Sequence, residues 1–330
     1  MARKKTSRKR AFSFDAIPPR RFRGSAGTPD QIYASLRQAG FSDTADEVRV
    51  EPRDGRTLAR LPGDRLAWFA ETPQGASVLK AERRVLRLIQ ARCAFRAPRV
   101  LFVAGDGSFD VRAAVPGWCE PWALFERAKT DATFAARLGS QLGGILAEQH
   151  TRITAADAAA WLPRRPLSPE PSAWIRERIP RVTAERRLAR DIDALLDRYD
   201  ELAVNDADRV LVHGDVGFHN IAVDPETFTV LGIFDYEGAA WADRHHDFQY
   251  LLFDVGRDDM LDAALAVYEP ATGKRLSRER VALYNAVCAA SFLAFRDGVP
   301  PDQLWCGRTL AQDLAWTRAA IARCGIASDR

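Results

Sequence analysis

The sequence predicts an α+β protein of two lobes, a small antiparallel sheet with one helix followed by a larger, mostly helical lobe. Three observations carry that reading. Residues 47–71 alternate apolar and polar side chains between turn signals, residues 78–90 switch to helical spacing, and from Ala123 onward apolar stripes recur at helical spacing. At 330 residues the chain is long enough for about two domains or lobes, and we divide it into residues 1–23, 24–117 and 118–330.

Residues 1–23 are a basic arm. Nine Lys or Arg stand against Asp15 alone, a charge of +8, so the overall +4 conceals a body of −4. The arm has few large apolar side chains to bury and its charges repel, so it is expected to be disordered in isolation. Weak contact with nucleic acid is the most this charge supports, because no recognition module adjoins it. A hydrophobic content of 47% with 28% charged residues belongs to an ordinary globular chain and excludes collagen-like and wholly disordered classes. No run approaches the ~18 apolar residues of a membrane span. The N-terminus also lacks the apolar core of a secretory signal, so a cytoplasmic protein without membrane contact is expected. Cys93, Cys119, Cys288, Cys306 and Cys324 are scattered and form no C-x-x-C pair, which predicts reduced, mostly buried thiols.

Residues 29–39 read as a short helix with Ile32, Leu36 and Ala39 on one face and Gly40 as its stop. Residues 47–51, 57–61 and 65–71 read as three short strands separated by Asp54-Gly55 and Pro62-Gly63-Asp64. Residues 78–90 follow as an amphipathic helix with Leu79, Val85, Leu86 and Ile89 aligned, and 99–103 and 111–115 as two more strands. In the second lobe, Leu138, Leu142, Ile145 and Leu146 form one stripe, and Leu188, Ile192, Leu195, Leu196, Tyr199 and Leu202 another. A proline-rich loop through Pro163, Pro166, Pro169 and Pro171 separates them, and residues 278–297 and 302–324 close the chain as helices.

Residues 212–247 concentrate the polar chemistry. Residues 221–223 and 229–234 read as a hairpin about the turn Asp224-Pro225-Glu226-Thr227. Positions equidistant from a hairpin turn face each other, which brings Asn220 and Asp235 side by side at the open end. An amide oxygen beside a carboxylate suits a hard divalent cation such as Mg²⁺, which completes its shell with waters and phosphates. Asp215 sits five residues before Asn220 on the entering loop, placed to accept the hydrogen bond of an acceptor hydroxyl. His213 is read as an organiser of that loop.

His213-Gly214-Asp215, then Asn220 after four intervening residues and Asp235 fifteen beyond that, resembles the aminoglycoside phosphotransferase and choline kinase family. Ile233-Phe234-Asp235-Tyr236-Glu237 is similar to that family's I-D-W-E. Residues Ala242 to Asp247 resemble its G-D-P-x-x-D, whose last Asp is structural, and Leu146 to His150 its L-x-x-L-H helix. The resemblance implies a two-lobed protein-kinase-like fold and a small-molecule kinase using ATP and Mg²⁺. It assigns nucleotide to residues 24–117 and catalysis with acceptor binding to residues 118–330. It further implies Asp215 and His213 as the catalytic residues, Asn220 and Asp235 as the metal ligands, and a small alcohol or amino alcohol as the acceptor. Phe253, Asp254, Asp258, Asp259 and Glu269 lie in the part of the chain that meets the acceptor.

The family's phosphate-gripping Lys on the third strand, paired with a helical Glu, has no direct counterpart. Glu82 is placed for the Glu, but the Lys position falls near Trp68 or Phe69, which leaves Arg60 and Lys80 as substitutes. Three readings are open at this point: a small-molecule kinase with a displaced clamp, a kinase-like ligand-binding protein that catalyses little, and a metal-dependent hydrolase. The last would use His213, Asp215, His219, Asp235, His245, His246 and Asp247 as ligands.

Overall fold

In the computed structural model, residues 28–43, 47–53, 55–253 and 256–326 are described. The basic arm, Asp54 and Asp254 lie outside them. Thr28 opens helix α1 (Pro29–Gln38) with a reciprocal cap. Its hydroxyl accepts from the Gln31 N–H at 3.3 Å while the Gln31 side chain accepts from the Thr28 N–H at 2.9 Å.

Five strands, β1 (Arg49–Arg53), β2 (Arg56–Leu61), β3 (Arg65–Ala70), β4 (Arg99–Val103) and β5 (Phe109–Ala113), form one antiparallel sheet in the order β1-β2-β3-β5-β4. Strand alternation sorts the side chains by face. Ala59, Ala67, Phe69, Phe109 and Val111 pack with Ile32 and Leu36 of α1. The opposite face carries Arg56, Trp68, Asp110 and Arg112, in register Leu58↔Trp68↔Asp110.

Helix α2 (Pro73–Arg92) lies against that second face. It begins five residues before the apolar spacing indicates, because Thr72 caps it by accepting from the Gly75 N–H at 3.0 Å and Pro73 suits the first turn. Val85, Leu86 and Ile89 of α2 share a core with Leu162, Leu211, Tyr236 and Trp241, so this helix joins the two lobes.

The second lobe runs α3 (Pro121–Thr130), α4 (Ala132–Arg152), α5 (Ala155–Ala158), α6 (Ser172–Val182), α7 (Arg186–Asp200), β6 (Arg209–Val212), β7 (Ile221–Val223), β8 (Val230–Ile233), β9 (Ala240–Asp243), α8 (His245–Phe253), α9 (Asp258–Thr272), α10 (Arg278–Ala294) and α11 (Leu310–Arg323). Its core is the helical one the stripes indicate, with Leu138, Leu142, Leu146, Leu188, Ile192, Leu195 and Leu196 all buried in it. Helices α4 and α9 meet at Gly139 and Gly143, where an added Cβ would come within 2.1 Å of the Met260 carbonyl oxygen and 2.3 Å of that of Ala264.

Two features depart from the sequence reading. Strands β6 and β9 pair antiparallel, Val212 against Ala240, across a separation that local pattern does not reveal. Helix α11 starts at Leu310 rather than 302, because Cys306 (φ 47°) and Gly307 (φ 77°) turn the chain and Thr309 caps the helix by accepting from the Gln312 N–H. All five cysteines are reduced, Cys288 and Cys324 buried but Cys119 exposed. No helix of the described residues is long and apolar enough to cross a membrane.

Candidate active site

The loop from β6 to β7 is held from beneath by one carboxylate. Asp247, in the first turn of α8, accepts from the backbone N–H of His213 and of Gly214, both at 2.9 Å, and pairs with His150 Nε2 at 3.1 Å. Burial alone would raise this carboxyl, but the His150 hydrogen bond and neighbouring imidazoles outweigh it and hold it well below the usual range. Gly214 has φ 87°, and a Cβ there would lie 2.6 Å from the Gly238 carbonyl oxygen, so the tight turn requires glycine.

His213 is fully buried and its tautomer is fixed by two bonds. Nδ1 accepts from the Asp215 N–H at 3.1 Å, which leaves Nε2–H to donate to the Phe234 carbonyl at 2.9 Å. Its ring packs on Tyr236 with centroids 4.3 Å apart, and burial pushes its pKa down, so the ring stays neutral. His213 thus ties the loop to the end of the hairpin.

Asp215 Oδ2 lies 3.1 Å from His219 Nε2 and 3.1 Å from Asn220 Nδ2. Burial works to raise the carboxyl, but His219 and a hydrogen bond from Tyr250 prevail and set it at about 2. Asn220 Nδ2 also donates to the Asp215 carbonyl at 2.7 Å, so its amide oxygen is the end left for another ligand.

The hairpin register is Ile221↔Ile233, with a bulge at Ala222/Val223. Asn220 therefore bonds to Phe234, whose N–H donates to its carbonyl at 3.0 Å, and Asp235 falls one residue beyond the equidistant position. Asp235 adopts a left-handed conformation (φ 68°, ψ 64°), uncommon for a residue with a side chain. Burial, together with Glu237, Glu82 and Asp215, pushes its pKa well up, with Arg56 opposing. Asp235, Glu237, Glu82 and Asp215 thus lie near one another, and Arg56 is the cation that opposes their effect at Asp235.

That cation is the residue the sequence reading missed. Arg56, buried at the start of β2, pairs with Glu237 and stacks over the Trp68 ring at 4.9 Å. Its signal was a basic residue on the face shared with Trp68, four positions before Arg60 on the same strand. Arg60 is exposed and pairs with Glu51 at 2.8 Å, and Lys80 is exposed on α2. Glu82 is buried beneath the sheet and pairs with Arg112 at 2.8 Å, while Arg112 also binds Asp110 at 2.6 Å. The structure therefore brings His213, Asp215, Asn220 and Asp235 together, with Glu82 behind them, and leaves Arg60 and Lys80 outside.

Asp215 opens into a cavity of about 240 Å³ walled by Trp122, Phe125, Phe218, Tyr250, Phe292 and Phe295, with Cys288, Cys306 and Arg308 among the remaining lining residues. Of the acids proposed to meet the acceptor, Asp258, Asp259 and Glu269 are not among its lining residues. Asp259 pairs with Arg257, Glu269 accepts from the Leu276 N–H at 2.9 Å, and Asp258 is exposed. The histidines read as possible metal ligands are engaged within the protein. His245 Nδ1 is 2.7 Å from Asp243 and its Nε2 accepts from the Ser277 N–H, while His246 Nε2 bonds the Ser168 carbonyl. Among the described residues no group of three or more His, Cys, Asp or Glu is arranged to hold a metal ion.

Known proteins align with this arrangement. A complex of APH(2")-IIia with GDP and kanamycin superposes with a TM-score of 0.63 at 18% identity, covering 88% of this chain and 98% of that one. The apoenzyme of macrolide 2'-phosphotransferase MphH from Brachybacterium faecium superposes at 0.57 and 18% identity, over 91% and 100%. A streptomycin-ATP-APH(2")-IIa ternary complex gives 0.56 at 15%, over 88% and 97%. At these identities the likeness establishes the protein-kinase-like fold. No curated protein matches the chain by sequence. The profile of the phosphotransferase enzyme family matches residues 37–284, which span the sheet, the 213–220 loop and the hairpin, and on that match the chain belongs to the phosphotransferase enzyme family.

Proposed function

We propose that this phosphotransferase moves the γ-phosphate of ATP to the hydroxyl of a small molecule, with Asp215 as the residue that receives the hydroxyl proton. The observation that carries the reading is the convergence of Asp215, Asn220, Asp235 and Arg56 on one region between the lobes, beside a cavity into which Asp215 opens. The structural relatives that hold GDP with kanamycin, and ATP with streptomycin, support a nucleotide and a hydroxylated small molecule as the two ligands.

The donor set fits a hard cation. Asp235 is crowded by other carboxylates, and Asn220 keeps its amide oxygen turned from Asp215, so an oxygen-seeking Mg²⁺ would be held by Asn220 and Asp235. Bound there, it would neutralise charge on the phosphates. Arg56 supplies a fixed guanidinium for the same charge, in place of the third-strand Lys. Asp215 orients the acceptor oxygen as it bonds to the γ-phosphorus, the bond from that phosphorus to the ADP oxygen breaks, and the hydroxyl proton passes to Asp215. Most of the catalytic effect then comes from positioning and charge complementarity.

The test is ADP release and nucleotide binding measured side by side. Wild-type protein should bind ATP more tightly with Mg²⁺ than without, and Asp235→Ala should abolish that difference. Equal ATP affinity with and without Mg²⁺ in the wild type would overturn the assignment of Asn220 and Asp235.

A further inference from the structure

The lining of the cavity beside Asp215 bears on the choice between the alcohol and the amino alcohol that the family resemblance implies. Pockets that take drug-sized ligands measure roughly 300 to 1,000 Å³, and a cavity of about 150 Å³ suffices for benzene. At about 240 Å³ this one admits a compact molecule of one or two rings. Six aromatic rings wall it, and among the described lining residues the single carboxylate is Asp215 itself. A polycation would find no acid there beyond the one engaged with His219 and Asn220.

Beside the Asp215 carboxylate the wall also carries a positive charge. The Arg308 guanidinium lies 4.0 Å from the Trp316 ring and 5.0 Å from the Phe292 ring, and its Nε is 3.2 Å from Asp313. Asp313 is buried and also receives Arg296 Nε at 2.6 Å, so one carboxylate serves two guanidinium groups. A cationic ligand entering the cavity meets a fixed positive charge. Leu167, which is 64% exposed, precedes the lining residue Ser168 in sequence.

We infer that the acceptor is a compact, ring-bearing alcohol without a cationic group, its ring among the aromatic walls and its hydroxyl at Asp215. The fate of that hydroxyl rests on the phosphoryl transfer proposed above, whereas the choice of ligand rests on the cavity alone. An ammonium group seated beside this guanidinium would meet a like charge that Asp313 shares with Arg296, so Arg308 acts as a selective element against amines.

Binding is measured by calorimetry on the full chain with 4-methoxybenzyl alcohol, with its matched cation 4-(aminomethyl)benzyl alcohol, and with kanamycin. The neutral alcohol should bind at least about tenfold more tightly than the amine, and kanamycin should not compete with it. Arg308→Gln should narrow the gap between alcohol and amine. The wild-type ranking decides the matter without any variant: an amine or kanamycin that binds as tightly as the neutral alcohol, or a neutral alcohol that does not bind, overturns the inference. The expected ranking without ADP release in the presence of Mg²⁺ and ATP would uphold the cavity assignment and count against phosphoryl transfer.

Discussion

Arg56 and Glu237 form an ion pair that joins the start of β2 in the first lobe to the segment just after Asp235 in the second. Sequence distance hides the relationship, since 181 residues separate them. Its position sets Arg56 against the crowded carboxylates around Asp235, and the Trp68 ring stacks against its guanidinium.

If Arg56 grips nucleotide phosphate, its removal should weaken nucleotide binding selectively. A charge-assisted hydrogen bond contributes about 1.5 to 3 kcal/mol, so Arg56→Ala should raise the ATP dissociation constant by roughly ten- to a hundredfold. Arg60→Ala, which removes only an exposed pair with Glu51, should change it by less than about twofold. Titration with a fluorescent ATP analogue separates the two. Equal effects from both variants would mean that Arg56 is not a selective phosphate clamp.

Asp247 is expected to set the stability of the 213–220 loop. It satisfies two buried backbone N–H groups and His150 at once, and breaking a buried charged network typically costs about 3 to 5 kcal/mol. Asp247→Ala should show that loss in urea denaturation. Asp247→Asn retains one acceptor oxygen and should lose less. A cost below about 1 kcal/mol for the alanine variant would mean that other groups hold the loop.

Residues close in sequence announced themselves, and residues joined across the fold did not. The 213–220 loop and the 221–233 hairpin were readable because a turn and an alternating pattern define them locally, although the residue bonded to Asn220 at the open end is Phe234, with Asp235 one position further on. The one-residue register offset was not readable, because the bulge at Ala222/Val223 leaves no trace in the pattern. Neither was the β6-β9 pair, whose strands are four residues each and depend on tertiary contact. Glu82 was read as the helical partner of a phosphate-gripping cation, but its partner Arg112 lies on β5, and only sheet order reveals that β5 neighbours β3. Arg56 escaped notice because its partner Glu237 stands 181 residues away.

The contact between α4 and α9 offers a paired test. Gly143→Ala drives a Cβ into the Ala264 carbonyl, and such overpacking costs about 1 to 3 kcal/mol. Gly144→Ala meets only the Val267 side chain, at 3.8 Å, and should stabilise the helix by about 0.5 to 1 kcal/mol. Thermal melts of the two variants should move in opposite directions.

Acid stability should depend on Asp243. Its carboxylate accepts from Tyr284 at 2.9 Å and pairs with His245 and Arg280; although burial works to raise its pKa, these partners set it at about 2. A carboxyl with a lowered folded pKa stabilises the fold above its unfolded value, near 3.9, and loses that contribution as pH falls through the folded one. About 2 to 3 kcal/mol should therefore disappear between roughly pH 4 and pH 2. Asp243→Asn should be less stable at pH 7 and should lose less over that interval, as read from melting temperature against pH.

Asp215 should matter for turnover far more than for binding. With its carboxyl at about 2, Asp215 is ionised across the neutral range, so it is a weak base that orients the acceptor hydroxyl and takes the proton only as the bond to phosphorus forms. Asp215→Asn keeps the shape and a hydrogen-bonding oxygen but cannot take the proton. Loss of a positioned proton acceptor lowers turnover by about 10² to 10⁴, while ATP affinity should stay within about threefold of the wild type. The sign of the pH effect follows from the same geometry. Protonation of Asp215 should not limit turnover above about pH 4, since a lowered pKa keeps the active form populated down to acid. His219→Ala removes a partner that lowers this carboxyl, so its pKa rises and the acid limb of the turnover profile moves to higher pH. An Asn variant with near-normal turnover, or an acid limb unmoved by the loss of His219, would show that the proton leaves by another route.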